Sequence, residues 1–444
     1  MRRRTTSLRV ASAVTLLALL AGCGGGGGEG DGDGGGKPST GASSASADAS
    51  PVPTPEESET TASLTAYDPP TRFETYGGFD APGLGTVALD GTKAYYVSPG
   101  ELVAWDLAGD EEIGTLTAET SSWRHLPEHD GTYKTVPYPP GLGTVDGKRY
   151  AVTAFPTSTK GSGSAADGVG VEVVAMDADS GREAWRTKWD LPRSEDGYLV
   201  TYVAGIVGRT AIVVSHGEYR YPVTYGIDLV THKETWSDTS FKAQLVQGTR
   251  VLGQRRGEED VLTLAAVDGA SGRGLWTGME VPDESGAGQG WTVKAFAPNR
   301  VWVAAPFGRA VVDSATGKDV NYEGFGERLH EIEKCVDDQL KTTFCAARTV
   351  KGAEISAYDR SGKRLWRVGG PSDDSGRKQM ILRSAFHGAV YATFNEGTGA
   401  AIVLDGATGA DKATDPGYAP LLANTYVGLT YGGGGQVDVY RATR

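Results

Sequence analysis

Three cysteines, six histidines and a set of aspartates in recurring surroundings are the side chains of this 444-residue chain that could do chemistry. His125 and His129, in "RHLPEHD", have the i, i+4 spacing that brings two zinc ligands to one face of a helix. Pro127 between them opposes a regular helix, and the glutamate is not where a metalloprotease motif requires it, so the stretch reads as an exposed loop. "DADSG" at Asp177–Gly181 supplies half of a calcium-loop pattern. A full loop needs ligands over about twelve residues ending in a bidentate glutamate, whereas an apolar, Trp-bearing stretch follows here, and a turn is the better reading. Cys335 and Cys345 have no second pair of soft ligands near them; the nearest histidine is His330. His216 and His387 stand singly. No G-x-S-x-G elbow, phosphate loop, dinucleotide fingerprint or C-x-x-C-H haem site is present. "GGGG" at Gly432–Gly435 precedes no helical pattern and reads as a hairpin turn. No metal, no cofactor and no catalytic residue is expected.

The start of the chain is chemically distinct. "MRRRTTSLRVASAVTLLALLAGC" holds Arg2, Arg3, Arg4 and Arg9, then an apolar run from Ala11 to Leu20 that is too short for a permanent membrane span. This is the layout of an export signal over residues 1–22. The arginine pair lacks the apolar residues that the twin-arginine route requires just after it. Its end, "LAGC", resembles the lipobox of bacterial lipoproteins, and that resemblance implies that Cys23 is acylated and becomes the first residue. Each buried methylene contributes about 0.8 kcal/mol, so several acyl chains hold a protein stably on a membrane that it does not span. The expected location is the extracytoplasmic face of the cell membrane. In an exported chain the two remaining, closely spaced thiols, Cys335 and Cys345, read as a disulfide.

Residues 23–65 are rich in Gly, Ser, Pro, Thr and Glu and almost free of large apolar side chains. Such a stretch cannot bury enough surface to offset ordering entropy and reads as a flexible tether. The folded part is expected over 66–444. Net charge is −13, falling to about −17 once the four leader arginines are removed (39 basic against 56 acidic residues). An acidic surface repels phosphate backbones, so nucleic acid is not an expected partner.

What must position any site is a repeat. Asp106, Asp177, Asp228, Asp268, Asp313, Asp359 and Asp405 each end an apolar, strand-like run, as in "VVAMDADSGREAWR" and "LAAVDGASGRGLWT". Their intervals are 71, 51, 40, 45, 46 and 46 residues, and a period in the forties marks a repeat architecture. Each Asp can accept hydrogen bonds from the backbone of the following turn, and the glycine that closes most of these turns supplies a positive φ. A second strand follows, with Trp185, Trp236, Trp276 and Trp366 at one repeated position. Further hairpins, such as "AIVVSHG" and "AVYATFNEG", lie upstream. Four short antiparallel strands per repeat make one propeller blade, and a repeated Trp suits wedging between neighbouring blades. The fold expected is therefore all-β, a propeller of four-stranded antiparallel blades. Eight blades follow if "TRFETYGGFD" supplies the outer strand of the last one; seven is the alternative.

The motifs "MDADSGREAWR", "VDGASGRGLW" and "YDRSGKRLWR" resemble the repeat of the pyrroloquinoline-quinone (PQQ)-like β-propellers, a family that includes quinoprotein alcohol dehydrogenases and an outer-membrane assembly scaffold lipoprotein. The resemblance covers most of 75–444. The Trp position instead holds Ile113, Asn321 and Ala413 in three copies, and His232 replaces the turn glycine in the third. The family's enzymes carry adjacent cysteines, a calcium held by acidic and amide side chains, and a catalytic aspartate; this chain has no adjacent cysteine pair. The resemblance therefore implies a membrane-anchored, non-catalytic binding or scaffold module of the cell envelope, with an envelope protein, polymer or small ligand as partner. The alternative is an enzyme, quinoprotein-like or hydrolytic, working from the channel or loops. Two long stretches, "TSSWRHLPEHDGTYKTVPYPPGLG" and "TSTKGSGSAADGVG", and the aromatic residues Trp123, Tyr133, Tyr138, Tyr219, Tyr221 and Tyr225 are the candidate binding loops.

Overall fold

The computed structural model describes residues 63–119, 138–159, 168–191, 199–217, 222–257, 261–281, 292–297, 299–305, 308–320, 332–349, 352–369, 377–394, 399–432 and 436–444. The leader, Cys23 and most of the tether lie outside the described residues, as do His125, His129, Trp123, Tyr133, Tyr219 and Tyr221.

Eight antiparallel sheets form the blades of a β-propeller. In chain order the first seven span 87–117, 141–190, 199–238, 241–281, 292–313, 332–369 and 380–413. The second shows the pattern fully: Gly141–Val145, Lys148–Thr159, Gly168–Asp177 and Glu183–Asp190, paired in sequence order. Among the described residues the fifth has three strands and a lone bridge from Val312 to Asp319. Asn321, which stands at the Trp position of this copy, lies outside the described residues.

The eighth blade closes the ring. Leu422–Ala423, Val427–Tyr431 and Gln436–Thr443 supply its inner strands, and Arg72–Asp80 from the other end of the domain is its outer strand. Phe73 pairs with Ala442 and Phe79 with Val437. Pairing both ends of the domain in one sheet removes an open edge.

Strand alternation explains why the blades stack. Along Gly168–Asp177, Val171, Val173 and Ala175 join a cluster with Val203, Val213 and Ile227 of the third blade. Val174 and Met176, on the other face, join Tyr95, Leu102 and Ala104 of the first. Successive side chains point to opposite faces, so a strand with apolar residues at every position needs a neighbour on both sides. Each of the eight apolar clusters joins two consecutive blades, including the pair formed by the eighth and the first.

The expected loop "TSTKGSGSAADGVG" is in part strand. Thr157, Ser158 and Thr159 pair with Gly170, Val169 and Gly168, extending the hairpin of the second blade. A Cβ at Gly170 would lie 2.7 Å from both the Thr157 hydroxyl and the Trp189 carbonyl, so a run of glycines that looks loop-like is here what lets the strands approach.

Candidate functional site

Each repeat aspartate organises its own turn. In the second blade the Gly181 N–H donates to the Asp177 carbonyl at 2.9 Å, while the Ser180 N–H and hydroxyl both donate to Asp177 Oδ1, at 2.9 and 2.8 Å. Asp268 receives the same pair from Ser271, Asp313 from Thr316 and Asp405 from Thr408. Hydrogen bonds from the Ser or Thr hydroxyl are the main reason that the carboxyls of Asp177, Asp268, Asp359 and Asp405 are held below the usual aspartate range. The sequence reading missed these hydroxyls, although a Ser or Thr directly before the turn residue is legible in "DADSG", "DGASG", "DSATG" and "DGATG". In the first copy Asp106 makes a smaller set, accepting from the Ala108 N–H at 3.1 Å.

The repeated tryptophans lie on the turns of the next blade. The Trp236 ring sits under Gly272, Trp276 under Gly317 and Trp366 under Gly409, so close that a Cβ on any of these glycines would come within 2.6–2.8 Å of the indole. Each indole N–H then donates to the carbonyl of the residue after the next blade's aspartate: Trp236 to Gly269 at 3.1 Å, Trp276 to Ser314 at 3.0 Å and Trp366 to Gly406 at 2.9 Å. At the first interface, where Ile113 replaces Trp, the backbones of Gly114 and Gly181 meet directly.

The interface between the second and third blades departs from this pattern. His232 occupies the glycine position with φ 58°, and the Trp185 indole stacks on its ring, centroids 4.7 Å apart. Trp185 Nε1 is buried with no hydrogen-bond partner among the described residues. A cleft of about 510 Å³ opens here, walled by Tyr150, Trp185, Leu229 and His232 and rimmed by Asp146, Lys148, Arg182 and Glu183. A smaller hollow of about 290 Å³ lies beside it, between the first and second blades, and shares Tyr150. Arg149 lines that hollow and bridges blades by pairing with Asp90 at 2.8 Å and with Asp179.

At the opposite edge of the same sheets, Tyr138 stacks on Tyr202 at 3.8 Å, and the Tyr202 hydroxyl donates to the Ala243 carbonyl at 2.7 Å. Burial, aided by the Lys242 ammonium, pushes the His216 imidazole down to about 3, and burial lowers Lys242 as well. Tyr225, a candidate contact residue by sequence, is instead buried in the core, edge-on to Trp189. Cys335 and Cys345 lie opposite each other on adjacent strands of the sixth blade and form a disulfide.

Residues 170–350 match the family model described as PQQ_2, outer membrane protein assembly factor BamB. That match spans the copies at Asp177, Asp228, Asp268 and Asp313. Over these residues the chain is similar to that family, and its fold is a β-propeller.

Solved structures similar to this chain include BamB from Moraxella catarrhalis, at 15% identity and TM-score 0.45, covering 83% of this chain and 99% of that one. A europium-containing methanol dehydrogenase is similar at 13% identity and TM-score 0.42, over 76% of this chain and 80% of its own. Sqt1 from Saccharomyces cerevisiae is similar at 13% identity and TM-score 0.42, over 86% and 99%. No curated protein sequence matches the chain.

The described residues of this propeller do not fit a quinone–calcium centre. Among them no three His, Cys, Asp or Glu side chains gather as metal ligands. The cysteines that could cap a quinone are bonded across a hairpin instead of being adjacent in sequence. The repeat aspartates are spread one to a blade, each engaged with its own turn.

Proposed function

We propose that this chain is a lipid-anchored propeller of the cell envelope that binds a partner protein and does no chemistry on it. In this reading residues 1–22 are a cleaved export signal, Cys23 carries the acyl chains, 23–65 are a tether and 66–444 are the binding domain. The observation that carries the binding role is the match of 170–350 to the family of an outer-membrane assembly factor. Asp177, Asp268, Asp313 and Asp405 each accept from their own turn, which fits a structural role for the repeat aspartates. The leader ending in "LAGC" supports the anchor. A long tether gives the domain reach, and a ring of rigid blades offers turns and loops on two edges for a large partner.

The anchor is tested by palmitate labelling and membrane fractionation of the wild-type protein and a Cys23→Ala form. Label and membrane association in the wild type, both lost in Cys23→Ala, are expected. An unlabelled wild-type protein would remove the anchor from the account.

A further inference from the structure

The departure at the second interface has three parts that coincide: a non-glycine residue at φ 58°, an indole N–H without a partner among the described residues, and a cleft. Strained or unsatisfied groups are costly and persist mainly where function maintains them. Where the other wedge tryptophans lie under a glycine, the turn seals the interface and takes the indole hydrogen bond. With His232 in that position the imidazole takes the stacking face and the cleft stays open.

We propose that this cleft is the anchor pocket for an aromatic side chain of a partner polypeptide. The inference rests on the reading of the chain as a protein-binding module. Its volume, about 510 Å³, falls within the range of ligand pockets, about 300–1,000 Å³. The walls are aromatic and aliphatic, with the exposed Val230 at the mouth beside Leu229. Its charged lining residues are three acidic groups, Asp146, Asp177 and Glu183, and two basic ones, Lys148 and Arg182. Charges of both signs with one acidic group in excess suit an aromatic anchor flanked by charged, mainly basic, residues. Trp185 is only 7% exposed and has one face on His232, so it offers no open indole plane to a sugar ring. What the cleft offers instead is an open space with an aromatic wall and a polar rim, beside an indole N–H whose counterparts bind peptide carbonyls.

The test is a titration of the full chain in detergent with N-acetyltryptophanamide, which carries both the ring and the amide carbonyls. Resonances of the ¹⁵N-labelled tryptophan indoles are followed, and that of Trp185 is assigned with Trp185→Phe. A saturable shift of the Trp185 resonance is expected, without movement of Trp276, together with at least tenfold weaker binding in His232→Gly. That variant restores the residue used in most other copies and suits the local φ, so it keeps the fold. N-acetylalaninamide and N-acetylglucosamine are expected to leave the resonance unmoved. Absence of a saturable shift, equal binding by His232→Gly, or a shift caused by the sugar would each overturn the proposal. Should a partner protein still be captured under any of those results, the binding role stands and only this pocket falls.

Discussion

The Trp185 indole and the His232 imidazole stack 4.7 Å apart with 19° between their planes, at a position where three equivalent tryptophans lie under a turn glycine. One substitution in a repeat thus changes an interblade seal into an open cleft with an unpaired donor beside it.

The wedge tryptophans should therefore differ in energy. Trp276→Phe removes an indole hydrogen bond to the Ser314 carbonyl, whereas Trp185→Phe removes none. Trp276→Phe is expected to lose about 1 kcal/mol more stability than Trp185→Phe, read from urea midpoints.

The turn glycines should resist even the smallest side chain. Gly272 has φ 68°, and a Cβ there would lie 2.6 Å from the Trp236 ring. Gly272→Ala is expected to destabilise by about 1–3 kcal/mol, whereas His232→Gly, which relieves strain, should raise the melting temperature.

A buried ion pair ties the first two blades together. Glu172 is fully buried, pairs with Arg186 and accepts the Glu119 N–H at 3.1 Å, while Arg186 donates to the Thr117 carbonyl at 3.1 Å. Glu172→Ala removes this partner while Arg186 keeps Glu183 at 2.7 Å, and a loss of about 1.5–3 kcal/mol is expected in a denaturant melt.

His216 predicts a pH dependence. Its folded pKa of about 3 lies below the ordinary value near 6.5, so between these values the unfolded chain binds more protons. The stability due to the neutral imidazole is then fully present above about pH 6.5 and is lost progressively as the pH falls toward 3. Melting temperatures measured from pH 7 to pH 4 should fall more steeply for the wild type than for His216→Gln.

Periodicity carries most of the fold. Alternating apolar runs ending in Asp and a glycine turn are local signals, and they mark the strands of the regular blades. The closing strand was legible as well, because the last two strands lacked an outer neighbour and the segment near residue 75 was free to pair. Which residues meet across blades was not legible. The Trp wedge was expected at the interface, but its acceptor lies 33 to 40 residues further on and is a backbone carbonyl, which no side-chain pattern announces. The cleft was missed for a related reason. His232 stood out only as a departure from the repeat, and its consequence depends on Trp185 of the preceding blade.

The central claim is that the anchored propeller holds a protein partner. Its most direct test is cross-linking in the native cells, followed by affinity capture of the wild-type chain and of Cys23→Ala as the unanchored control. The account predicts one envelope protein, recovered reproducibly with the anchored form and lost with the control. Recovery of no cross-linked polypeptide, alongside a polymer or small molecule that copurifies with the propeller, would contradict it.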